Sequence, residues 1–360
     1  MNTAAQPLRM IAWEVTGACN LKCVHCRASA VDKPLPNEFS TQEALRFIDE
    51  ICEFSQPIII LTGGEPLLRE DIFDIVCHGV QKGLRMVMGT NGTLITKDIA
   101  RRIRESGIQR VAISLESSTP EIHDEFRRVP GSFEAALEGI EHLKEAEVDF
   151  QIAPTITKRN LNDLENILNL AVKLGAVALH IFLLVPTGRG RELAEEEIPP
   201  KDYERVLNWL YERQKKVPLH LKATCAPHYY RIIRQRARRE KEKVSFETQG
   251  LEAMTRGCLG GISFCFISHL GKVQPCGYLE LDCGNVRERP FKEIWFESQI
   301  FRNLRDFRKL EGKCGICEYK RICGGCRARA YALTGDYLQE EPYCIYQPSA
   351  ASQKIGGKRE

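Results

Sequence analysis

No run in this chain approaches the roughly 18 consecutive apolar residues that a membrane span requires. No amino-terminal segment joins basic residues to an apolar run and a cleavage site. Both absences lead to the expectation of a cytoplasmic protein. An excess of charge of one sign is lacking too. Lys and Arg number 51 against 48 Asp and Glu, a formal net charge of +3, which gives no reason to expect a polyanion such as a nucleic acid as partner. The apolar share of 43% and charged share of 28% describe a globular chain with enough apolar material for a full core. At 360 residues it can form two domains or one large one. What it has in excess is cysteine, 15 in all. A cytoplasmic chain keeps its thiols reduced, so clustered cysteines read as metal ligands rather than disulfides.

From residue 10 to about 185 a strand-then-helix alternation repeats six times. The strand candidates are MIAWEV (10–15), PIIILT (57–62), RMVMGT (85–90), RVAISL (110–115), FQIAPTI (150–156) and LHIFLLV (179–185). They are β-branched-rich and nearly continuous in apolar character, as strands covered on both faces should be. Helical stretches such as 41–54 and 132–146 lie between them, the first opened by Ser40 and Glu43 in capping-box spacing. The pattern implies a parallel sheet with helices outside, as a partial barrel or a doubly wound sheet, with its chemistry at the carboxyl ends of the strands. CNLKCVHC (19–26) follows the first strand there, and TGGEP closes the second. Residues 201–245 read as helical and charged. The basic run 229–243 is either a solvated helix face or a cationic rim for an acidic substrate. From about 255 cysteines are dense and helices short, which suggests a small second domain stapled by metal. The expected division is 1–200, a helical bridge 201–254, a cysteine-rich domain 255–348 and a disordered tail 349–360.

CNLKCVHC lacks a nearby fourth cysteine, which a tetrahedral zinc site would want. A [4Fe–4S] cube has four irons, and three thiolates leave one iron open to a small molecule. The spacing CxxxCxxC after a first strand, with GGE after a second, resembles the radical S-adenosylmethionine (radical SAM) family. The resemblance implies a partial (β/α)6 barrel in which Cys19, Cys23 and Cys26 hold the cluster that starts the reaction. It also implies that S-adenosylmethionine chelates the open iron. Gly63, Gly64 and Glu65 would receive its amino group, Arg127 its carboxylate, and Asn91 and Ser114 its ribose. His25, Val185 and Pro186 would wall the adenine.

A second set comprises Cys258, Cys265, Cys276, then Cys314-x2-Cys317-x5-Cys323-x2-Cys326, then Cys344. It resembles the SPASM extension of radical SAM enzymes, departing from it in having two residues rather than three between Cys323 and Cys326. By position the resemblance implies two closed [4Fe–4S] cubes, one on Cys258, Cys265, Cys276 and Cys326, the other on Cys314, Cys317, Cys323 and Cys344. The CxxC pairs alone could equally bind zinc. Cys52 and Cys77 fall among apolar residues of helices and read as core. Cys225 and Cys283 remain unassigned, with a structural role expected.

WEVTGACNLKCVHCRASA, TCAPHYYR and CGGCRARAYA resemble the heme b synthases of the siroheme-derived pathway. Those enzymes oxidatively decarboxylate two propionates of iron-coproporphyrin III to vinyls, by a 5′-deoxyadenosyl radical that takes a hydrogen from each propionate β-carbon. The resemblance implies three [4Fe–4S] clusters, S-adenosylmethionine, a tetrapyrrole substrate and an electron donor such as a ferredoxin or flavodoxin. Arg27, Arg189, Arg191 and Arg231 would suit a substrate with four carboxylates, and His180, His228 and Tyr229 could meet the porphyrin or its iron. The alternatives are a related tetrapyrrole side-chain enzyme, a SPASM peptide maturase and a non-catalytic iron–sulfur carrier. The intact TGGEP argues against the carrier, which needs no methionine site.

Overall fold

A computed structural model describes residues 7–245 and 255–349. The tail expected to be disordered lies outside the described residues except for Ser349, as does the end of the bridge. Strands β1 (Met10–Glu14), β2 (Ile58–Thr62), β3 (Arg85–Thr90), β4 (Val111–Ile113), β5 (Phe150–Ile152) and β7 (Ala178–Leu183) pair in parallel in that order. Each falls within a residue or so of an apolar run in the sequence. The run 150–156 is split at Ala153–Pro154 into β5 and β6 (Thr155–Ile156), because proline donates no ladder hydrogen bond. Both pieces keep the same register against β7, Gln151 facing Ala178 and Thr155 facing Phe182.

The helices α1 (Thr41–Cys52), α2 (Ile72–Gln81), α3 (Lys97–Ser106), α4 (Pro120–Arg127), α5 (Ser132–Glu145) and α6 (Leu164–Leu174) connect these strands. In α1 the buried residues Ala44, Phe47, Ile48 and Ile51 form one stripe, as an amphipathic helix covering a sheet should. The capping box is present: Ser40 Oγ accepts the Glu43 amide, and Glu43 accepts the Ser40 amide at 2.8 Å.

One strand falls where only helix was expected. Within the stretch read as helical, α7 (Pro200–Gln214) and α8 (His228–Glu240) enclose β8 (His220–Thr224), which pairs in parallel with β7. The cysteine-rich part is also not self-contained. Its β9 (Phe264–Ile267) joins β1 in parallel, and β10 (Val273–Gln274) adds on antiparallel, so one sheet runs through both parts. After it come the short helices α9 (Phe291–Glu297), α10 (Gln299–Arg305), α11 (Gly312–Ile316) and α12 (Arg327–Thr334). Phe291 of α9 meets Phe47 of α1 edge-on at 5.4 Å, which brings this part into the barrel's own core. Among the described residues no helix is long and apolar enough to cross a membrane.

Candidate active site

The carboxyl ends of β1 and β2 bring the first cysteine loop against TGGEP. Gly64 N–H donates to the Thr16 carbonyl at 2.8 Å and Glu65 N–H to the Ala18 carbonyl at 2.7 Å. A Cβ on Gly63, whose φ is +146°, would lie 2.4 Å from the Thr16 oxygen, and one on Gly64 only 1.9 Å from the Ala18 oxygen. Only glycine fits so close a backbone contact. Glu65 has no exposed surface; its carboxylate accepts the Thr90 hydroxyl (2.7 Å) and the amides of Asn91 (2.8 Å) and Leu67 (3.1 Å). Burial raises its pKa against those donors. The side chain therefore braces the loop, which differs from the expected pairing with an ammonium group. Asn91 Nδ2 donates to Asn20 Oδ1 at 2.8 Å, fastening the β3 end to the same loop.

The Arg127 guanidinium, buried at the end of α4, donates to Cys23 Sγ (3.3 Å), the Ser114 carbonyl (2.8 Å) and Glu116 Oε1 (2.5 Å). Glu116 also accepts the Thr155 amide at 2.6 Å and stands 3.3 Å from His25 Nε2. Burial works against its charge, but Arg127 and His25 outweigh it and hold its carboxyl at about 2. Arg127 Nε and His25 Nδ1 are buried without a hydrogen-bond partner among the described residues. Glu116 was missed in the sequence. Its signal was an acidic residue directly after an apolar strand, at the end where sites collect. Ser114 takes part through its backbone, while Val185 lies buried with Leu279 and Cys326, and Pro186 follows it, also buried.

The cysteine environments suit iron–sulfur groups. Cys19, Cys276, Cys317 and Cys323 each accept the amide of the residue two positions on, at 3.3–3.4 Å, and Cys26 accepts Ala30 N–H at 3.4 Å. Such donors favour thiolate, the form that ligates. Burial pushes the Cys19 thiol up to about 12, against the Leu21 amide and with the help of Glu65, Cys23 and Cys26; on ligating a metal it would release its proton to solvent. Cys314, Cys317, Cys323 and Cys344 line one cavity with His228, Arg231 and Glu341. Among the described residues no group of three or more His, Cys, Asp or Glu converges tightly enough to hold a single metal ion.

Cys265 departs from expectation. It is fully buried in the main core together with Cys283, whereas Cys276 and Cys326 pack with Cys225 in a separate apolar cluster. Cys52 is half-buried against the core, as expected. The expected substrate cations are mostly committed elsewhere. Arg27 lies over the Phe266 ring at 4.4 Å and pairs with Glu14 at 2.9 Å. Arg189 donates to the carbonyls of Cys23 (3.0 Å) and Ala30 (2.8 Å). Arg231 is buried against Glu204 at 2.5 Å and faces the cysteine cavity. Only Arg191 is well exposed, paired with Glu280. His228 is buried beside Glu341, Tyr229 is in the core, and His180 is held by Gln151 at 3.0 Å, so none of the three lies open at a barrel mouth.

The chain matches the radical SAM superfamily over residues 13–171 and the SPASM iron–sulfur cluster-binding domain over 258–327. It is 56% identical over 340 residues to the AdoMet-dependent heme synthase of Methanosarcina barkeri, covering 94% of this chain and 97% of that protein. It is 32% identical to the Fe-coproporphyrin III synthase of the same organism, covering 93% and 87%. Its fold is similar to that of Streptococcus suis SuiB bound to S-adenosylmethionine, with a TM-score of 0.74 at 17% identity over 95% of this chain and 78% of the other. The chain is thus an enzyme of the radical SAM superfamily with a SPASM domain, and belongs to the family of the AdoMet-dependent heme synthases.

Proposed function

We propose that this enzyme oxidatively decarboxylates two propionates of iron-coproporphyrin III to vinyls, giving heme b. The observation that carries the reading is the 56% identity to an AdoMet-dependent heme synthase across nearly the full length of both chains. The reaction would use three [4Fe–4S] clusters, one on Cys19, Cys23 and Cys26 and two in the cysteine-rich domain, with a ferredoxin or flavodoxin as electron donor. When bound, the open cluster and S-adenosylmethionine supply a 5′-deoxyadenosyl radical.

The protein's own part is to hold charge and exclude water. Arg127 stands against Cys23 Sγ, with its buried Nε unpartnered among the described residues and so available to the methionyl carboxylate. Glu116 keeps that guanidinium in place and His25 beside it. Gly63 and Gly64 bring backbone close to the cysteine loop, where the methionyl amino group would lie. Closed clusters on the cysteines of the second domain would take the electron left after each loss of carbon dioxide. The test is anaerobic reconstitution with iron-coproporphyrin III, S-adenosylmethionine and a reductant, followed by mass analysis. The expected product is heme b, through a monovinyl intermediate. Formation of 5′-deoxyadenosine with no change in the porphyrin would defeat the assignment.

A further inference from the structure

We propose that Cys225, and not Cys265, completes one auxiliary cluster with Cys258, Cys276 and Cys326. The proposal rests on the reading that this domain carries clusters closed by four thiolates, and it changes which residue supplies the fourth. Strand β9 excludes Cys265. Successive side chains of a strand point to opposite faces. Phe266 lies under the Arg27 guanidinium, and a Cβ built on Gly277 would touch its ring at 3.2 Å. Phe266 therefore faces the backbone of the Cys276–Tyr278 turn, whose Gly277 carbonyl also accepts from Arg27 at 3.4 Å. Cys265 faces away from it, level with Ile11 of β1, in the core layer that also holds Cys283.

Strand β8 supplies the replacement. Thr224, its last residue, lies level with Phe182 of β7, so Cys225 stands at the carboxyl edge of the sheet beside Leu183 to Val185. Val185 packs in the same apolar cluster as Cys225, Cys276 and Cys326. Cys225 takes a left-handed φ of +59°, uncommon for a residue with a side chain and a mark of functional sites. Its carbonyl is held by the Tyr203 hydroxyl at 2.7 Å and Arg329 Nη1 at 3.1 Å. Arg329 is three residues beyond Cys326 in α12, and it also donates to the Leu184 carbonyl at 2.7 Å. One guanidinium thus fixes the Cys225 segment, the Cys326 segment and the end of β7 together. The packing agrees: Cys225 shares one apolar cluster with Cys276 and Cys326, and Cys265 shares another with Cys283. On ligation each thiol loses its proton to solvent, and four thiolates cover all four irons of a cube. Cys225 lies outside the 258–327 SPASM match, which is why motif spacing does not find it.

The experiment compares full-length Cys225→Ala and Cys265→Ala with the parent after anaerobic reconstitution, by iron and sulfide content and by EPR of the reduced protein. Cys225→Ala should lose about one third of the parent's iron, one cube of three, or keep the iron with one altered cluster spectrum. Cys265→Ala should match the parent in both. A Cys225→Ala protein with the parent's iron and spectrum, or a Cys265→Ala protein that loses a cluster, overturns the proposal. If the alanine variant of Cys225 fails to fold, Cys225→Ser carries the test: its oxygen ligand should shift one cluster's spectrum, and an unshifted spectrum overturns the proposal. A parent that assembles only one cluster would overturn the underlying cluster reading as well, and so is told apart.

Discussion

Glu116 holds a negative charge with no exposed surface, and it can do so only because Arg127 and His25 reach it. Removing it by Glu116→Ala would leave a guanidinium buried without its carboxylate. We expect a loss of about 3–5 kcal/mol in denaturant unfolding, together with weaker binding of S-adenosylmethionine. The parent's acid sensitivity follows from the same pair. A carboxyl held at about 2 in the folded chain contributes stability that is present above the ordinary value near 4.5 and is lost as pH falls from there toward 2. Unfolding measured across that window should therefore show a shallower pH dependence in Glu116→Ala than in the parent. The cysteines and glycines of this site were legible because their spacing is their function. Glu116 was not, because its role depends on two partners 11 and 91 positions away in sequence, Arg127 and His25. The arginines misled for the same reason: Arg27, Arg189 and Arg231 read as available charge until Glu14, two loop carbonyls and Glu204 are seen to hold them.

At the scale of elements, the six expected strands announced themselves by apolar runs covered on both faces. β8, HLKAT, did not, since His220 and Lys222 interrupt its apolar residues. β9, FCFI, is only four residues long, and its cysteine reads as one more member of the ligand series. Helix α12 shows how such elements are joined. Its Arg329 is fully buried and reaches carbonyls at the ends of β7 and β8, with Glu197 Oε1 at 3.3 Å balancing its charge. Arg329→Ala should cost about 3–5 kcal/mol, measured by thermal unfolding, and should lower iron retention in the cysteine-rich domain more than at the first cysteine loop. Equal iron loss at both would mean that α12 does not act as the joint.

Across the whole molecule, one sheet carries the first cysteine loop and TGGEP at the ends of β1 and β2, and Cys225, Cys276 and Cys326 pack with Val185 just beyond β7. That continuity explains how a domain with little core of its own can be held at fixed distance from the chemistry. Cys317→Ala, in the cavity of the second set, should leave the barrel site intact. The variant should still cleave S-adenosylmethionine but make little divinyl product, because the electron left after decarboxylation has lost part of its exit route. Circular dichroism and iron content come first, since a metal-held segment can unfold when its metal is lost. A folded variant lacking that cluster, yet converting both propionates at the parent rate, would reduce the clusters to structural staples. The most direct test of the account follows the hydrogen atom itself. Iron-coproporphyrin III deuterated at its propionate β-carbons is turned over by the reconstituted enzyme, and the 5′-deoxyadenosine is analysed by mass. The account predicts one deuterium transferred to 5′-deoxyadenosine for each vinyl formed; vinyl product accompanied by unlabelled 5′-deoxyadenosine would contradict it.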